Sequence, residues 1–185
     1  AAVAVDIPIG LLDAAEPGGR PVDRAARTLV GPRRASVFAP PIRAVLDAPD
    51  YPAALAISRA SSPHALGLSK QCWNIVPKIR EVDAALTPTI QRRVFEVHPE
   101  LCFTRMRAAP CDHPKKSAEG RAERLDALRA HHFALSDPVE SIARNLDALP
   151  DDVIDACACL WTAARRARNR AIPIDPAPAT DARSL

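Results

Sequence analysis

Only two stretches of this 185-residue chain carry strand patterning, and that scarcity constrains the fold more than any other feature. "AAVAVDIPIG" reads as a short buried strand over Ala2–Val5. It ends at Asp6 and turns through Pro8 and Gly10. "RRVFEVHPE" is the second, with Val94, Phe95 and Val97 apolar and His98-Pro99 as its stop. Elsewhere the apolar spacing is helical. "IRAVLDA" after Pro40-Pro41, residues 50–59, "LSKQCWNIVPKIREVDAAL", "PELCFTRMR", "KKSAEGRAERLDALRAHH", "DPVESIARNLDA" and "DDVIDACACLWTAARRARN" all read as helices. Ser69 is a candidate cap, and Pro77 is an expected break or kink. The pattern specifies a helix-rich α/β domain over residues 1–172, followed by a loosely ordered, Pro-rich tail over 173–185.

With 48% hydrophobic residues the chain can build a real core. A net charge of +3 is too small to argue nucleic-acid binding on its own. Lysine occurs only at 70, 78, 115 and 116, so arginine makes up the rest of the 25 basic residues. Arginine suits bidentate contact with phosphate, but base bias in a genome produces the same composition. Five cysteines at 72, 102, 111, 157 and 159 form no regular framework, which points to reduced thiols and a cytoplasmic setting. No apolar run reaches the roughly 18 residues of a membrane span.

The segment "DDVIDACACLWTAARRAR" begins with acids and continues with small side chains. On a helix, Val153, Ile154, Cys157, Leu160, Trp161 and Ala164 form one apolar arc, and Asp155, Ala158 and Thr162 lie opposite. Asp152 and Asp155 are three apart and can reach one point near the helix start. An acidic first turn alone needs no function, because it complements the helix dipole. Asp6 adds weight: an acid at the C-terminal end of a buried strand points to where α/β sheets place ligands, although it also suits an Asx turn. Glu96 is a further acid, within a strand, on the face opposite Phe95 and Val97.

The blocks "VAVDIPIGL", "GPRRASVFAPP", "GLSKQCWNIVPKIREVD", "FEVHPELCF", "KKSAEGRAERL" and "DDVIDACACLWTA" resemble, in order, the domain of unknown function family 429. That family is regarded as a set of predicted nucleases with a ribonuclease H-like fold. The resemblance implies a mixed sheet flanked by helices and metal-dependent hydrolysis of phosphodiesters in DNA or RNA. Asp6, Asp152 and Asp155 would hold Mg²⁺ or Mn²⁺, with Glu96 as an accessory catalytic acid. Two such ions can stabilise both the attacking and leaving oxygens. The resemblance also implies an upstream strand, with a central aspartate, that these residues lack. The expectation is therefore of an N-terminally truncated domain with impaired activity.

Candidate substrate-binding residues are Arg33 and Arg34 in a basic turn, Lys70 and Asn74 beside Trp73, and His98 at the strand end. Lys115 and Lys116 read as surface residues, and Cys157 and Cys159 as small core residues. Two other readings stand beside the nuclease: a non-catalytic nucleic-acid-binding module, and a hydrolase or transferase of a small phosphorylated substrate. No G-x-S-x-G elbow, P-loop or dinucleotide fingerprint is present.

Overall fold

The structure is a computed structural model, and it describes residues 1–133 and 135–174. The Pro-rich tail expected over 173–185 lies, from residue 175 onward, outside the described residues. The two strands are β1 (Val3–Val5) and β2 (Val94–Glu96), which form a small parallel sheet. Val97, one residue past β2, donates its N–H to the Val5 carbonyl at 2.8 Å. Eight α-helices accompany them among the described residues: α1 (Pro21–Val30), α2 (Tyr51–Ala60), α3 (Lys70–Ala85), α4 (Pro88–Gln91), α5 (Pro99–Arg107), α6 (Ala118–Ala130), α7 (Val139–Asn145) and α8 (Pro150–Ala167). Gly31–Ser36 and Arg43–Asp47 are 3₁₀ segments. The helix-rich α/β class therefore holds.

The helix starts are set by local chemistry. Asp50 accepts from the Ala53 N–H at 2.8 Å, and Ser69 accepts from the Cys72 N–H at 3.1 Å. Each bond satisfies a donor that the first turn would otherwise orphan, worth about 1 kcal/mol. Pro77 does not break α3, which runs unbroken for 16 residues. Its exposed position explains the difference, because the ladder bond it removes falls on the outer side while Cys72, Val76 and Ile79 are buried.

The chain divides into two compact units. One is built from Ile7–Ala26 and Val37–Glu96. Its core gathers Leu11, Ile42, Val45, Leu46, Ala54, Leu68, Cys72, Val76 and Ile79. The loop entering α1 is fixed by Arg20, which is buried and donates to Asp23, to Glu96 and to the carbonyl oxygens of Ile9 and Gly10. Gly19 has φ +75 and lies so near Ala39 that an added Cβ would come within 2.9 Å of the alanine Cβ. Only glycine meets both demands without strain.

The other unit comprises Ala1–Asp6, Arg27–Ser36 and Val97–Ile172. Helix α8 is its centre and packs against β1, α5, α6 and α7. Asp151 and Asp152 stand in its first turn and Arg165 and Arg166 in its last, so both ends complement the dipole. Its buried face is not the arc that periodicity marks. Asp155, Ala158 and Cys159 are buried with Val153, Ile154 and Trp161, whereas Leu160 is 57% exposed. A helix with neighbours on several sides buries most of its circumference, and its few exposed positions fall wherever a neighbour is missing. Cys157 is correspondingly only half-buried, although Cys159 is in the core.

Candidate functional site

Asp6 directly follows β1, and Asp155 lies in the second turn of α8, the helix that packs on that strand. Both act electrostatically on the same three groups, namely the thiols of Cys102 and Cys159 and the amine of Lys115. Asp155 is 9% exposed, and its Oδ2 accepts from Lys115 Nζ at 2.7 Å. Burial pushes the Asp155 carboxyl above its ordinary range, and the Glu100 charge adds to that push. The hydrogen bond and charge of Lys115 oppose it. Burial also works against the Lys115 cation, but Asp155, then Asp6 and Asp151, outweigh it and hold the amine above the ordinary lysine value. Lys115 thus pairs with Asp155, and Asp6 and Asp151 add to the negative field around its amine. The sequence reading of a plain surface lysine misses this, and the only signal was its place in a block shared with the family.

Asp152 takes a different position from Asp155. It is exposed, and its Oδ2 lies 3.4 Å from the Leu149 N–H, as in a helix cap. Asp151 flanks the centre instead. It lines a shallow depression with Lys115, Arg124, Ile154 and Asp155, and is 3.8 Å from Arg121 Nε. Behind the depression, Glu100 and Arg124 form a buried ion pair through Glu100 Oε1, while Glu100 Oε2 is buried without a hydrogen-bond partner. Cys102 Sγ lies 3.1 Å from the Thr162 hydroxyl, and burial pushes its thiol up to about 12.

Glu96 is engaged elsewhere, within its own unit. Its Oε2 accepts from the Ile9 N–H and from Arg20, each at 2.8 Å, and its Oε1 accepts from Arg20 at 2.6 Å. Burial would lower the Arg20 pKa, yet Glu96 and Asp23 hold it above the ordinary value. This acid therefore clamps the loop after β1. In the same unit Lys70 Nζ sits 4.1 Å over the Tyr51 ring, Trp73 lies 6.2 Å from that ring, and Asn74 is exposed. A cleft of about 270 Å³ there is lined by Leu12, Phe38, Ile42 and Leu68, but its guanidinium, Arg20, is already committed to Asp23 and Glu96. His98 Nε2 lies 3.2 Å from the Ser36 carbonyl oxygen, which ties the Arg33-Arg34 segment to the start of α5. Arg34 is exposed, and Arg33 is half-buried.

Among the described residues no three His, Cys, Asp or Glu side chains are arranged to hold a metal ion. A cation at this centre would rest on Asp6 and Asp155, with water and substrate oxygens completing its shell. Mg²⁺ accepts that arrangement, since it binds through one or two carboxylates and keeps several waters. In this structure the Lys115 ammonium supplies the cation at Asp155.

Fold and site define an α/β protein with an acidic centre at a strand end. A family model described as "Protein of unknown function (DUF429)" matches residues 1–179, and the chain belongs to that family. Neither a curated protein nor a solved structure matches it. Among the described residues no helix is long and apolar enough to cross a membrane.

Proposed function

We propose that the chain is a metal-assisted phosphodiester hydrolase acting on nucleic acid, with Asp6 and Asp155 as its carboxylate pair. The ribonuclease H-like arrangement and the Mg²⁺ or Mn²⁺ requirement implied by the family resemblance are parts of this proposal. One observation supports it above the rest: Asp155, a buried acid on the helix that packs against β1, holds the Lys115 ammonium at 2.7 Å. Clustered acids repel unless a cation sits among them. A bound divalent ion would supply charge stabilisation at the attacking and leaving oxygens.

The chain's own groups do the positioning. Asp155 is held in the interior of an 18-residue helix, and Asp6 stands in the bend directly after the strand that packs against it. Asp151 adds negative charge at the rim. Purified protein incubated with Mn²⁺ or Mg²⁺ should cleave labelled DNA or RNA, and Asp155→Asn should abolish that cleavage. Equal cleavage by wild type and Asp155→Asn would refute this assignment of the centre.

A further inference from the structure

Helix α8 packs against β1, α5, α6 and α7, and one narrow side of it faces solvent. Counted at about 100° per residue, Leu149, Ala156, Leu160 and Ala167 fall within about 40° of one another, in a column along the helix. All four are exposed, Leu149 at 66% and Leu160 at 57%. A single exposed leucine needs no explanation, but an apolar column about five turns long does.

Charge is placed unevenly along the same helix. Asp152 is exposed near its start, and Arg166 and Arg168 are exposed at its end. A parallel neighbour of the same sequence would set acid beside acid and base beside base, whereas an antiparallel one sets acid beside base. We propose that this face of α8 docks a second copy of the chain, laid antiparallel across a two-fold axis level with Ala158. That axis puts Leu149 opposite Ala167 and Ala156 opposite Leu160, one from each copy, so each large side chain meets a small one. Asp152 and Arg166 lie on the same flank of the column, and the axis brings them to within about 3 Å of the same height. The interface is self-complementary, so every favourable pair occurs twice. One helix face covers less than the about 800 Å² per partner of a standard interface, so the dimer is weak and depends on concentration. Nothing here rests on the acidic centre, because Asp155 belongs to the buried side of the helix.

The test is sedimentation velocity of the full chain over about a thousandfold range of concentration. Wild type should pass from monomer to dimer. Leu160→Arg puts a charge into the apolar column of each copy and should weaken association about a hundredfold. Its circular dichroism should stay that of wild type, since the position is exposed. Asp152→Arg and Arg166→Asp should each weaken association about tenfold, and the two together should restore it. Mild oxidation of a mixture of Leu149→Cys and Ala167→Cys proteins should link the two chains. Neither protein alone should link, because the axis holds like positions about 27 Å apart, beyond the reach of a disulfide. A monomer at every concentration overturns the proposal and leaves the column to a different partner. A dimer that Leu160→Arg leaves intact uses another surface and overturns it as well. Linkage of Leu149→Cys to itself would mark a parallel pair and overturn the antiparallel arrangement.

Discussion

Gly120→Ala is the sharpest perturbation of the centre that leaves every charged group in place. By helix propensity alone it should stabilise, because alanine in a helix is favoured over glycine by about 1 kcal/mol. The structure demands the opposite sign. The new Cβ would stand 1.9 Å from the Pro114 carbonyl oxygen and 2.7 Å from its carbon, and both are backbone atoms that cannot turn away as a side-chain tip would. Relief requires the 113–117 segment to lift off α6, at the expense of the Ser117 cap and the Arg124 bond to His113. Overpacking costs about 1–3 kcal/mol, and loss of a cap adds about 1 kcal/mol. After the propensity gain, the net loss is about 1–3 kcal/mol. For a chain of this length that is a fall in Tm of about 2–12 °C. Thermal unfolding followed by circular dichroism measures it directly. A Gly120→Ala protein as stable as wild type, or more so, would refute both the close approach and the claim that this segment is fastened. Because the same segment carries Lys115, the variant should also weaken the Lys115–Asp155 bond.

Arg20→Met should destabilise the chain by about 3–5 kcal/mol in urea unfolding, because it leaves the buried Asp23 and the partly buried Glu96 without their shared cation. A loss below about 1 kcal/mol would show that the pairing is superficial. Cys72, Cys102 and Cys159 should resist alkylation at pH 8 in the folded protein and react once it is unfolded, since burial pushes each thiol up to about 12. The same shifts fix a sign for stability. The folded thiols keep their protons while unfolded ones release them, so this contribution is complete below pH 9 and is lost between about pH 9 and 12. Stability that rises across that window would refute the burial assignment.

What the sequence determined by itself is the set of local decisions. Both strands, the cap at Ser69 and the helix that begins at Pro99 depend on residues within one turn of each other, so pattern and capping chemistry suffice to read them. The expected break at Pro77 failed because burial on one side of α3 outweighs one missing ladder bond. The family was likewise legible, since it rests on six ordered blocks. Tertiary structure alone decided which charges meet. Asp152 and Asp155 look like partners three residues apart, but the rotation of α8 against β1, α5, α6 and α7 buries one and leaves the other at the cap. Lys115 lies 40 residues from the acid it neutralises, and Glu96 lies 76 from the arginine that claims it. No local period encodes such pairings, because they follow from how helices and loops fill space around a core.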